Sequence, residues 1–130
     1  MSDEPIDRAA FANLVEMTGG EMDFVDELVD TFLEDGAHQV DALRAAVSGS
    51  DVAAMVRPAH SLKSGSLNVG AMHLGGLCRE LEEAARGGEV PDTARRIDAI
   101  AAGFDDVRAA LLDERMRRAL LDERMRRAQG

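Results

Sequence analysis

The strongest chemical signal in this sequence is His60 followed one helical turn later by Lys63, the sole lysine among 130 residues. At about 100° per residue, helical positions three and four apart share a face. His60, Lys63, Ser64 and Leu67 therefore make one stripe. Ser61, Ser64 and Gly65 surround the imidazole with small or absent side chains. An imidazole supplies a nitrogen nucleophile, and in water it titrates near ~6.5, so the neutral form is available around neutral pH. An ammonium supplies a point charge for phosphoryl oxygens. A cleared flank lets the backbone of another protein come close. Together these residues suit acceptance of a phosphoryl group on His60. A histidine on a partly apolar helix is by default structural, and the lysine with the small residues weighs against that default. His38 and His73 have neither, so surface or structural places are expected for both.

Competing chemistries lack their residues. A di-iron bundle uses Glu-x-x-His on two helices; here Glu34 and His38 are four apart, a different spacing. There is no Cys-x-x-Cys for zinc. No glycine loop ends in Lys-Ser/Thr to cradle nucleotide phosphates, and Gly19-Gly20 and Gly87-Gly88 lack every other part of one. Neither a resident metal nor direct use of ATP is expected.

The run His60-Ser61-Leu62-Lys63-Ser64-Gly65-Ser66-Leu67-Asn68-Val69-Gly70 resembles the signature of histidine-containing phosphotransfer (HPt) domains. That signature is roughly His-x-Leu-Lys, then small residues, then an apolar-Gly pair. The resemblance extends from the acidic, apolar helix before the motif through Leu81-Glu82 after it. Ser64-Gly65 departs from the commoner Gly-Ser order, but both residues stay small. The resemblance implies phosphorylation of His60 and attraction of the incoming oxygens by Lys63. It also implies that Glu82 holds the other ring nitrogen; the plainer expectation for Glu82 is one more exposed acid. Arg86 lies one turn after Glu82 and either pairs with it or reaches the phosphoryl region. Ser64, Gly65 and Leu67 are expected on the docking surface, with Phe32-Leu33 close by.

The implied partners are response-regulator receiver domains, including one attached to a hybrid histidine kinase. The implied role is a phosphoryl carrier rather than an ATP-using kinase. No cofactor is expected, and magnesium comes only with the receiver. Two alternatives stand beside the relay: a module that binds receivers without phosphotransfer, and a helical assembly protein.

Periodicity supplies the elements that must position these groups, and predicts an all-α, up-and-down four-helix bundle in one domain spanning 1–130. Asp7 caps a short first helix carrying Phe11, Leu14 and Val15, which Gly19-Gly20 ends. A second helix runs from about Glu21 to Val47, with Met22, Val25, Leu28, Val29, Phe32, Val40, Leu43 and Val47 inward and its acids outward. Gly36 in its middle suggests close packing. Ser48–Asp51 is a turn with caps for the next helix. On that helix Val52, Met55, Ala59, Leu62, Ser66 and Val69 form the core stripe, with His60 on its flank. Pro58 is awkward there: inside a helix proline costs about 3 kcal/mol, so a kink or a distorted Val52–Arg57 turn is predicted. The fourth helix, about Ala71 to Arg86, points Met72, Leu77, Cys78, Leu81 and Ala85 inward, and Gly75-Gly76 is explained by packing on the histidine's helix.

The last helix carries Ile97, Ile100, Phe104, Val107 and Leu111 on one stripe. Then Ala110–Arg118, ALLDERMRR, is repeated letter for letter in Ala119–Arg127. Nine residues rotate by about 900°, half a turn out of phase, so both copies cannot face one groove. The bundle is expected over about 21–112, and residues 113–130 as a helical extension that projects, frays or packs on another molecule.

Composition sets the remaining bounds. The net charge of −10 disfavours nucleic acid and anionic membranes as partners. A single cysteine, Cys78, and the lack of a signal peptide or long apolar run point to the cytoplasm. Starting at Met, with no room for a kinase domain, the chain is expected to be free-standing.

Overall fold

The computed structural model describes residues 4–130. Five helices follow in order: α1 (Arg8–Met17), α2 (Met22–Ser48), α3 (Val56–Asn68), α4 (Met72–Arg86) and α5 (Thr93–Gln129), with a 3-10 turn, Ala53–Met55, leading into α3. No strand occurs among the described residues.

Local chemistry sets these boundaries. The Asp7 carboxylate accepts from the Ala10 N–H at 3.0 Å and starts α1. Asp51 does the same for Ala54 at 3.1 Å and starts the 3-10 turn. Gly70 has φ +85°, a left-handed conformation open to glycine, and closes α3. Its carbonyl accepts from the Asp7 N–H at 2.7 Å, which ties the start of α1 to the end of α3. In this way α1 is fixed across one end of the bundle.

Helix α2 packs on α3 and α5, and α4 packs on the same two. No close backbone approach crosses the diagonals α2–α4 or α3–α5 among the described residues. This is the square section of an up-and-down bundle with short connections. Its core holds Val25, Val29, Phe32 and Leu43 of α2, Ala59 and Leu62 of α3, Leu74 and Leu81 of α4, and Ile97, Ile100, Phe104 and Val107 of α5.

Two expectations change and a third is decided between its alternatives. Of a kink at Pro58 or a distorted Val52–Arg57 turn, the structure has the second: residues 53–55 form a 3-10 turn, the α-helix starts at Val56, and Pro58 is its third residue. Its missing N–H is one of the first-turn donors that have no intrahelical partner, and no kink is needed. Leu28 and Met72 are exposed rather than inward. Adjacent residues point about 100° apart, and Val29 takes the core position that Leu28 would share. On α4, Leu74 is buried where Met72 was expected. The two expected close packings are present at Gly36, where a Cβ would enter the Phe104 ring, and at Gly75, where it would lie 2.7 Å from Leu67 Cδ2. Gly76 has nothing within 4 Å of such a carbon, so packing does not explain it.

Helix α5 runs straight through the repeat. Leu111 of the first copy is buried, while Leu112 and Met116 are exposed. Polar contacts with the bundle continue to Arg115, which pairs with Asp26 and Asp30, and to Arg118, which meets Met22 Sδ and lies 5.5 Å over the Phe11 ring. Leu120, Leu121 and Met125 of the second copy are all exposed.

Candidate functional site

The apolar stripe of α3 decides where His60 points. Met55, Ala59, Leu62, Ser66 and Val69 are all buried, which turns the imidazole to the rim of the α3–α4 interface with its side chain 53% exposed. Close approach of α3 and α4, allowed by Gly75, brings Glu82 to the same rim. Leu81, Cys78 and Ala85 lock the inner face of α4. The Glu82 side chain is only 7% exposed, so it is not one more surface acid.

A buried carboxylate requires partners, and Glu82 has three. Lys63 Nζ lies 2.8 Å from Oε1. Arg86 donates to Oε2 through Nε at 3.0 Å and places Nη2 at 2.9 Å. His60 Nδ1 lies 3.2 Å from Oε1 and 3.1 Å from Oε2. The Lys63 hydrogen bond above all, then those of Arg86 and His60, pull the Glu82 carboxyl from its ordinary 4.5 down to about 2, although burial works the other way. Glu82 is therefore an acceptor at neutral pH. The hydrogen on the His60 ring goes to Nδ1, and Nε2 keeps its lone pair. A nucleophilic nitrogen is thus fixed beside a lysine and an arginine that share one anion.

Around this centre Ser64 and Leu67 are exposed and Gly65 is half-buried. A Cβ at Gly65 would sit 2.9 Å from Phe32 Cδ1, so the lack of a side chain there admits the Phe32 ring as well as keeping the flank low. Beside it runs an apolar groove lined by Leu28, Phe32, Gly65, Leu67, Met72 and Met17. Leu28 and Met72 join this rim, where periodicity had assigned them to the core; the available signal was their adjacency to stronger core residues. All seven residues expected at the site lie on α3 and α4, and His60, Lys63, Glu82 and Arg86 form one connected cluster. His38 and His73 are exposed and outside it. Cys78 is buried, which pushes its thiol up to about 12 and leaves it inert. No helix among the described residues is long and apolar enough to cross a membrane.

No curated protein matches the chain. Its structure is similar to the crystal structure of histidine-containing phosphotransfer protein B (HptB) from Pseudomonas aeruginosa PAO1, at 37% identity and a TM-score of 0.80, covering 89% of this chain and 98% of that one. Residues 27–110 match the Hpt domain, and the helical bundle with its histidine on an exposed rim agrees with that match: the chain belongs to the Hpt domain family.

Proposed function

We propose that His60 carries a phosphoryl group between response-regulator receiver domains. Nε2 attacks the phosphorus of a receiver's aspartyl phosphate. The new N–P bond forms as the P–O bond to the aspartate breaks, and the aspartate leaves as carboxylate. The imidazole ring gains positive charge in this step, and the Glu82 carboxylate facing Nδ1–H offsets it. Lys63, with Arg86, sits where phosphoryl oxygens need positive charge, so transfer rests on positioning and electrostatics. The reverse sequence, with a second receiver's aspartate as nucleophile, hands the group on. The groove along Leu28, Phe32 and Leu67 supplies apolar contact that keeps water from the reacting bond. Magnesium enters with the receiver's acidic pocket, and the setting is the cytoplasm.

The observation that carries this reading is the anchoring of His60 Nδ1 on a buried, ionised Glu82 that also holds Lys63. The test is a time course with a receiver phosphorylated at its aspartate. Acid-labile label appears on the wild type and not on His60→Gln. Stable docking with no label on the wild type supports a receiver-binding module instead.

A further inference from the structure

The repeat in α5 lies beyond the candidate site, and among the described residues the apolar side chains of its second copy are all exposed. Residues 115–130 contain six arginines and two acids. Residues 9–43 contain nine acids and neither lysine nor arginine. The chain therefore carries a basic tail and an acidic α1–α2 segment, and the acids Glu16, Glu21, Asp23 and Glu27 of that segment lie around the α1–α2 connection and the first turns of α2. The tail leaves the bundle at Arg118, which touches Phe11 of α1 and Met22 of α2. The corner joining α1 to α2 begins there.

That corner has both kinds of surface the tail lacks a partner for. Glu16, Glu21, Asp23 and Glu27 are exposed and make no ion pair among the described residues. Beside them Met17 and Phe24 are 78% and 50% exposed. On the tail, Arg124 and Arg126 have no ionic partner among the described residues, and Arg127 has only Glu123 one turn back. Leu120, Leu121 and Met125 are 54%, 51% and 62% exposed. The first copy already shows the chemistry: Arg115 holds Asp26 and Asp30 of this same acidic helix.

From Arg118 to Gln129 is eleven helical steps, ~16 Å of projecting rod. Two such rods laid antiparallel, overlapping for their full length, bring the end of each to the exit point of the other. Each tail then meets the partner molecule's acidic corner, and every contact is made twice about a two-fold axis.

We infer that the C-terminal extension is a self-association arm: its second repeat docks on the acidic, apolar α1–α2 corner of a second copy of this chain. Opposite charge selects that occupant over an anionic membrane or nucleic acid, which the acidic bundle repels. The inference does not rest on phosphotransfer by His60.

Sedimentation equilibrium of the full chain tests it. A dimer is expected at low salt, converting to monomer at about 1 M salt, where the screening length is ~3 Å. Deleting residues 119–130 should give monomer under both conditions, with the bundle's helical signal retained. A charge exchange separates docking from general stickiness. Chain X carries Arg124→Glu, Arg126→Glu and Arg127→Glu; chain Y carries Glu21→Arg, Asp23→Arg and Glu27→Arg. Each should be monomeric alone, and their mixture should form a one-to-one heterodimer. Full-length protein that stays monomeric at high micromolar concentration and low salt overturns the inference. So does a Y chain that dimerises by itself, or a full chain that remains monomeric but binds vesicles of anionic lipid.

Discussion

Glu82 and His60 face each other across the α3–α4 interface, the carboxylate oxygens 3.1 and 3.2 Å from Nδ1. One residue is buried and the other half in solvent. The buried partner fixes the ring, and the exposed edge carries Nε2, the nitrogen proposed to accept the phosphoryl group. Replacing Glu82 should therefore affect transfer more than folding alone explains. A hydrogen bond to a charged group contributes about 1.5–3 kcal/mol, so Glu82→Gln, which keeps shape but loses charge, should slow labelling of His60 roughly tenfold to a hundredfold. Receiver docking, followed by titration calorimetry, should be unchanged. Equal labelling rates in the two proteins would remove Glu82 from the mechanism.

The same residue predicts an acid limb of stability. Its pKa is lowered on folding, from 4.5 to about 2. The folded state thus binds the proton less readily than the unfolded one. The stabilisation is complete above pH 4.5 and is lost as pH falls toward 2, by up to about 3 kcal/mol. Denaturant melts of the wild type should weaken across that window, and those of Glu82→Gln should be flatter. Parallel curves would place the acid sensitivity elsewhere.

Three glycines give a graded test of packing. A Cβ at Gly36 enters the Phe104 ring, and one at Gly65 lies 2.9 Å from Phe32. Gly36→Ala should cost about 1–3 kcal/mol by overpacking, seen as a fall in Tm. Gly65→Ala should cost less, since the Phe32 ring edge is the atom that must shift. Gly76→Ala meets nothing within 4 Å and should stabilise by about 0.5–1 kcal/mol through helix propensity. A fall in Tm for the last variant contradicts the open space seen there.

Pro58→Ala distinguishes a first-turn proline from an interior one. Were Pro58 inside the helix, its removal would gain about 3 kcal/mol. As the third residue of α3, with its ring buried, it should instead yield no gain, and a loss of about 1 kcal/mol from lost packing. Thermal melts read the sign directly.

Much of this was open to reading in the chain. The three-four spacing of Met55, Ala59, Leu62, Ser66 and Val69 set the buried face of α3, and so the outward turn of His60. The lone lysine one turn on marked the candidate site. Asp7, Gly19-Gly20 and Gly70 marked helix ends, because capping and left-handed backbone are local properties. Half a turn per nine residues placed the second repeat off the bundle's seam, and its apolar residues are exposed.

Other features depend on which helices meet. Leu28 and Val29 are equally apolar, and only the position of α3 and α5 against α2 decides which one is buried. Glu82 could have been read as a surface acid; the depth at which α4 sits against α3 makes it a buried anion with three donors. Sequence by itself determined the helical periods, the caps and the placing of His60 and Lys63 on one face, since these follow from neighbours within one turn. Only the tertiary structure decided that Lys63 and His60 of α3 converge on the same carboxylate that Arg86 reaches from one turn along α4, because that convergence is set by the distance between two helices, and no spacing along one helix encodes it.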